Sequence, residues 1–207
     1  MKLLTYKIKN LDIPQIGVFQ NQLVYNLNNC FGDITLVDLI QHEDFEDKVA
    51  NFISNNNCSK HDIEDITVLP VIPNPNSFRD AYAFKQHVAT SRENRGVEMI
   101  PEFDEFPVFY FSNHNAMFAD RQNIELMADH FHRLDYELEF AIVIGKGGEN
   151  ILSKDADNHI AGFCILNDLS ARRLQKEEMR LNLGPAKGKD FANVIGPYLV
   201  TPDELES

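Results

Sequence analysis

Glu137 and Glu139, set at alternate positions in Leu134-Asp135-Tyr136-Glu137-Leu138-Glu139-Phe140-Ala141-Ile142-Val143-Ile144, are the residues whose type and spacing most directly suggest chemistry. Alternate side chains of a strand share a face, so Asp135, Glu137 and Glu139 project to one side. Leu134, Tyr136, Leu138, Phe140 and Ile142 project to the other. An E-x-E pair is ordinarily the solvated face of an edge strand, because Glu is rarely buried. Here the run continues into Ala-Ile-Val-Ile, apolar on both faces, which predicts a strand covered on both sides. Like-charged carboxylates inside such a layer are strongly destabilising without a cation, and a hard metal ion resolves the conflict. A third acid, Asp168, follows the apolar run 161–166 and precedes a helical segment at Ser170-Ala171-Arg172. It reads first as a helix N-cap, and also as a carboxylate able to reach a neighbouring strand end. Three oxygen ligands without Cys or His favour Mg²⁺, Mn²⁺ or Ca²⁺ over zinc. His130 and His132 have the opposite parity to the two glutamates on a regular strand, so they are not candidates for the same ion.

These residues need strands and turns to hold them. Residues 132–144 and 160–166 read as apolar strands, and residues 106–111 as an aromatic strand with a proline near its start, where a ladder tolerates it. Gly145-Lys146-Gly147-Gly148 suits a tight turn but lacks the spacing of a dinucleotide fingerprint. Residues 170–180 predict a helix broken by Gly184-Pro185, and residues 78–95 one or two short helices. Earlier in the chain, residues 3–8 and 22–27 are β-prone runs separated by Pro14 and Gly17. Residues 38–53 carry apolar side chains at helical spacing, and the polar stretch 54–60 ends that helix. A last apolar strand, 66–72, runs into Pro73-Asn74-Pro75, where two prolines mark a boundary. The organisation expected is a small α+β unit, 1–75, followed by a mostly β unit, 76–207, that holds the chemistry.

Composition narrows the function classes. The 207 residues carry 19 Lys+Arg against 32 Asp+Glu, a formal net charge of −13. That acidity argues against nucleic acid and anionic membrane as partners, since such surfaces need clustered cations. A chain 43% hydrophobic and 25% charged is in the globular range, far from disordered compositions. The longest apolar runs fall well short of the ~20 residues that cross a bilayer. The first ten residues do not read as a signal peptide. Cys30, Cys58 and Cys164 are odd in number and widely spaced, which disfavours a disulfide framework or structural zinc and fits a reduced, cytoplasmic setting.

From Phe78 onward the sequence resembles the fumarylacetoacetase (fumarylacetoacetate hydrolase) family. The matching blocks occur in order: Arg79-Asp80-Ala81-Tyr82 with Gln86-His87; Asp135-Tyr136-Glu137-Leu138-Glu139; Asn167-Asp168-Leu169-Ser170-Ala171-Arg172 with Gln175; and Gly184-Pro185 with Gly188-Lys189-Asp190-Phe191. The resemblance implies a mixed β-roll catalytic domain preceded by the small N-terminal domain of longer members. It implies that Asp80, Glu137, Glu139 and Asp168 hold a divalent metal, Mg²⁺ or Ca²⁺ with Mn²⁺ an option. His87 would be the base that activates water, and Lys189 would stabilise developing negative charge. Tyr82, Arg95, Tyr110, Arg172 and Gln175 would surround the substrate. Taken alone, His87 reads as a surface histidine, Lys189 as a solvated lysine and Tyr110 as a core residue.

The implied activity is hydrolytic cleavage of a carbon–carbon bond in a 1,3-dioxo acid, an acylpyruvate or fumarylacetoacetate, as in aromatic amino acid catabolism, by a cytoplasmic homodimer. The same carboxylate site also serves family decarboxylases, isomerases and dehydratases acting on 2-oxo acids, so those reactions remain open. The family continues beyond the position of Ser207 through further strands of the roll. The catalytic unit is therefore expected to be incomplete at its C-terminal side, and an inactive family member that binds metal or oligomerises stays an alternative.

Overall fold

The computed structural model describes residues 1–55 and 58–205. The chain folds as an α+β protein around one large mixed sheet. Its first half supplies β1 (Lys2–Ile8), β2 (Gln15–Gln20), β3 (Leu23–Asn26), α1 (Asn28–Phe31), α2 (Leu36–Ile40), α3 (Phe45–Ser54), β4 (Lys60–Asp62) and β5 (Ile66–Val68). The second half supplies β6 (Arg79–Asp80), α4 (Lys85–Glu93), β7 (Tyr110–Phe111), β8 (Met117–Phe118), β9 (Leu134–Asp135), β10 (Leu138–Ile144), β11 (Ile160–Asp168), β12 (Ser170–Ala171), α5 (Arg172–Met179), α6 (Ala186–Lys189), β13 (Asn193–Ile195) and β14 (Leu199–Val200).

The sheet runs in the order β4-β3-β2-β1-β14-β11-β13-β8, with β10 paired to β11 and β5 to β1. The junction between the halves is made by β1, whose Lys2 and Leu3 lie opposite Val200 and Leu199 of β14. Beside it the amino group of Met1 pairs with Asp203 at 3.0 Å and Glu204 at 3.3 Å. Strand β1 is apolar on both faces and is buried on both. Leu3 joins a core with Leu36, Leu39, Val49, Val143, Leu166 and Leu199, while Leu4 and Tyr6 meet Val24 and Ile66 on the other side. The first core takes side chains from both halves of the chain. Where β11 passes β14 the backbones are close. A Cβ on Gly162 would lie 2.5 Å from the Val200 carbonyl oxygen, so glycine is required there.

Several expectations change in detail. The helix expected over 38–53 is two helices. Thr35 and Asp38 form a capping box that starts α2, and Asp44, in the left-handed region at φ 60°, turns the chain before α3. Helix α3 ends at Ser54 as the polar stretch begins; Asn56 and Asn57 of that stretch lie outside the described residues. A strand, β2, occupies residues 15–20, where Pro14 and Gly17 read as a separator. The aromatic strand shortens to Tyr110–Phe111, and the strand expected over 66–72 stops at Val68.

The largest difference concerns β10. Its parity holds: Glu137 and Glu139 turn inward. The apolar side is the uncovered one, with Leu138, Phe140, Ile142 and Ile144 each more than half exposed. Ile165 and the partly buried Phe163 of β11 extend this face, and Phe140 stacks on Phe163 with ring centroids 4.9 Å apart. Alternation shows that the two faces of a strand differ, but an apolar face can be covered by something outside the fold as well as by its own core. Among the described residues β10 pairs only with β11, so its far edge is open as well.

Because one core spans both halves, Leu199→Ala is expected to destabilise the whole chain by about 2–5 kcal/mol. The measurement is the urea midpoint by circular dichroism. A single transition at lower urea is expected, whereas two separated transitions would show that the halves unfold independently.

Candidate active site

Three separate segments bring acids to one place. Strand β6 pairs with β7 so that Asp80 lies opposite Tyr110, and the Tyr110 hydroxyl donates to Asp80 Oδ2 at 2.5 Å. Strand β10 carries Glu139 inward, and β11 ends at Asp168. The chain breaks its strand at Tyr136-Glu137 between β9 and β10. There Asp168 N donates to Glu137 O at 3.0 Å, and Glu137 N donates to Asn167 Oδ1 at 3.2 Å. Carboxylate oxygens of Asp80, Glu139 and Asp168 lie within 4.8 Å of one another.

Glu137 stands beside this triad and is held by cations. Arg172 Nη2 reaches Glu137 Oε1 at 2.7 Å, and the same guanidinium donates through Nε to Asp135 Oδ2 at 2.8 Å and through Nη1 to Gln175 Oε1 at 3.1 Å. Lys189 donates to the other Glu137 oxygen, Oε2, and to Asp168 Oδ2 at 2.5 Å. Lys189 is 2% exposed and Asp168 1%. A lysine that reads as solvated from its Gly-flanked loop is therefore the buried counter-ion of the cluster.

Charge does not balance here: four carboxylates, Asp80, Glu137, Glu139 and Asp168, meet two cations, Lys189 and Arg172. The titration behaviour follows. Burial, reinforced by the charges of Asp80, Asp168 and Glu137, pushes Glu139 up to about 8. Burial and the neighbouring acids hold Asp168 up at about 6 against the pull of Lys189. Glu137 is lowered, since Lys189 and Arg172 outweigh the burial that would raise it. Lys189 is raised although burial alone would lower it, because two carboxylates accept its protons. Burial and the hydrogen bond to Asp80 raise Tyr110 far above the ordinary phenol range, so it stays a donor. Asp168 Oδ1 is buried with no hydrogen-bond partner. An orphaned carboxylate oxygen in a cluster of excess negative charge fits a hard divalent cation, whose ligands would be carboxylate oxygens.

The remaining expected residues are dispersed. His87, on α4, is exposed and lines an open hollow with Phe84, Gln86 and Thr90; among the described residues no hydrogen bond or ion pair joins it to the carboxylates. Tyr82 is exposed and stacks on Phe103, and Arg95 Nε donates to Ser91 O at 3.0 Å just beyond α4. His130, set aside on parity, is buried against Phe191 with ring centroids 4.1 Å apart. Sequence reasoning missed Asn193. It lies directly opposite Asp168 in the β11–β13 ladder, is fully buried, and has an unpartnered Oδ1. Directly opposed residues of an antiparallel pair share a face. That register is a long-range fact with no local signal.

Fold and site together describe an α+β protein with a partly buried acidic cluster suited to a hard divalent cation. The chain belongs to the fumarylacetoacetate (FAA) hydrolase family, whose C-terminal pattern matches residues 76–207. An uncharacterized protein of Staphylococcus haemolyticus is 28% identical over 222 aligned positions, covering 99% of this chain and 70% of the relative. One from Staphylococcus aureus (strain USA300) is also 28% identical, over 99% of this chain and 71% of its own. Among solved structures, fumarylacetoacetate hydrolase from psychrophilic Exiguobacterium antarcticum superposes with a TM-score of 0.70 at 24% identity, over 98% of this chain and 67% of that one. Maleylpyruvate hydrolase from Sphingobium sp. SYK-6, in complex with manganese(II) ion and pyruvate, gives 0.68 at 19% identity, over 98% and 68%. These structural likenesses establish the fold. Among the described residues no helix is long and apolar enough to cross a membrane.

The raised acids set a pH dependence. A carboxyl whose pKa is higher folded than unfolded contributes stability below the unfolded value and loses it as pH rises through the folded value. Asp168 covers the range from 3.8 to about 6, and Glu139 that from 4.5 to about 8. The melting temperature of metal-free protein should therefore fall between pH 5 and 8, and Glu139→Gln should remove the part of the fall above pH 6. Excess Mn²⁺ should abolish the fall in wild type. A slope above pH 6 that survives Glu139→Gln contradicts this electrostatic picture.

Proposed function

We propose that this chain carries the active site of a metal-dependent hydrolase cleaving a carbon–carbon bond in a 1,3-dioxo acid, an acylpyruvate or a fumarylacetoacetate-like compound. The observation that carries the reading is the convergence of Asp80, Glu139 and Asp168, the last with a buried and unpartnered Oδ1, with Lys189 buried beside them. Membership of the FAA hydrolase family and a fold shared with two enzymes named as hydrolases of such acids support it. Asp80, Glu139 and Asp168 would hold the cation, Mg²⁺, Ca²⁺ or Mn²⁺, with Glu137, the further ligand that the family resemblance implies, beside them and held by Arg172 and Lys189. When bound, such an ion would be chelated by neighbouring oxygens of a dioxo acid and would polarise the carbonyl under attack.

The chain's own groups supply the rest. Tyr110, fixed on Asp80, keeps that carboxylate oriented. A ring nitrogen of His87 takes a proton from water as its oxygen bonds to the ketone carbon; the carbon–carbon bond then breaks, its electron pair leaves as an enolate, and the enolate carbon is reprotonated. The Lys189 ammonium stabilises the oxyanion. Arg172, Gln175, Tyr82 and Arg95 bind the substrate's carboxylate and oxo groups. The reading includes a cytoplasmic homodimer, for which the uncovered apolar face of β10 and β11 is the contact surface.

The test is loss of ultraviolet absorbance of an acylpyruvate or fumarylacetoacetate on adding protein with Mg²⁺ or Mn²⁺. Turnover should stop with a chelator, and His87→Ala should lower kcat by about 10²–10⁴-fold. No metal-dependent turnover of any such acid, or Glu137→Ala and Asp168→Ala proteins that turn over like wild type, would overturn the proposal.

A further inference from the structure

We propose that Glu178 is the positioning residue of Lys189: its carboxylate clamps the start of α6 and so holds the buried ammonium among the site's acids. The inference deepens the proposed function and rests on its assignment of Lys189.

Helix α6 has four residues, and its N-cap, Pro185, makes no side-chain capping bond. Two amides of its first turn are met from α5. Lys187 N donates to Glu178 Oε1 at 2.8 Å, and Gly188 N, shared with Pro185 O at 3.0 Å, donates to Glu178 Oε2 at 2.9 Å. One carboxylate thus spans two successive backbone donors, a charge-assisted arrangement that fixes both orientation and distance. The next residue is Lys189, whose ammonium straddles Glu137 and Asp168. A flexible four-carbon stem reaches two acceptors at once only if its own backbone is fixed.

Packing against the same helix confines the segment further. A Cβ on Gly188 would lie 2.6 Å from Gln175 N and 2.7 Å from Gln175 Cα, so α6 rests directly on the backbone of α5. Behind Lys189, Asp190 N closes the turn on Ala186 O at 2.7 Å. Gln175 and Glu178 are neighbours at i and i+3 on α5, and Gln175 is bonded to Arg172, which holds Glu137. One helix therefore places both cations of the cluster: Arg172 from its first residue, and Lys189 through Glu178 one residue from its end. Glu178 bonds backbone amides and none of the metal-site acids, so its influence passes through Lys189.

Two measurements test this, one of them independent of activity. Lysine acetylation followed by mass spectrometry should find Lys189 protected in the wild-type protein while exposed Lys187 reacts. In Glu178→Ala, Lys189 should react at a rate approaching that of Lys187, with partial protection restored in Glu178→Gln. With an acylpyruvate and Mn²⁺, Glu178→Ala should lower kcat by about 10- to 100-fold. In a Lys189→Met background the same substitution should cause no further loss. Lys189 remaining protected in Glu178→Ala, or losses in the two single variants that multiply in the double, would overturn the inference. If the wild-type protein turns over no dioxo acid, the functional reading fails while acetylation still decides the role of Glu178.

Discussion

The structure depends on burying an ammonium between two carboxylates that have further carboxylates behind them. Lys189 and Asp168 are both almost inaccessible to water, and each would be costly alone. Their pairing lowers that cost without neutralising the pocket, because Asp80 and Glu139 add negative charge that no side chain of the cluster balances. The raised pKa values of Glu139 and Asp168 express this imbalance, since a proton is the only cation the chain itself can add. A divalent ion would replace that proton.

The fold serves the constraint by delivering each acid on a different support. Asp168 ends β11, the strand flanked by β10, β13 and β14, so it has the most restrained backbone of the set. Glu139 comes from β10, next to it. Asp80 arrives on the short β6–β7 ribbon, where Tyr110 fixes its carboxylate and reaches towards Asp168, at 3.4 Å. The cations arrive on α5 and α6, whose mutual packing at Gly188 and Gln175 leaves no room for a side chain. A change in any one support alters the charge balance for the rest, which makes the pocket sensitive to substitutions that touch no ligand.

Much of this was legible in the sequence, and the limits have physical reasons. The shared face of Glu137 and Glu139 follows from a period of two and survived the irregularity at Tyr136-Glu137. The strand leading to Asp168 was visible as an apolar run, and the family resemblance placed Asp80 and Lys189 in the site. Periodicity could not show that Lys189 is buried, because burial of a loop lysine depends on acids 21 and 52 positions away. Asn193 and Glu178 were invisible for a related reason: one owes its place to strand register, the other to the approach of two helices. The assumption that β10 is covered on both faces failed because alternation is a local property and coverage is not. The single helix expected over 38–53 failed because apolar spacing continues smoothly across a turn that Asp44 makes in the left-handed region.

The central claim is that the excess negative charge around Asp168 is a cation site. Anomalous scattering from crystals soaked in Mn²⁺ tests it most directly. The account predicts one strong peak lying about 2.0–2.6 Å from oxygens of Asp80, Glu139 and Asp168, with Lys189 still beside Glu137. A soaked crystal with no peak among these carboxylates, or with the ion bound only elsewhere, would contradict it.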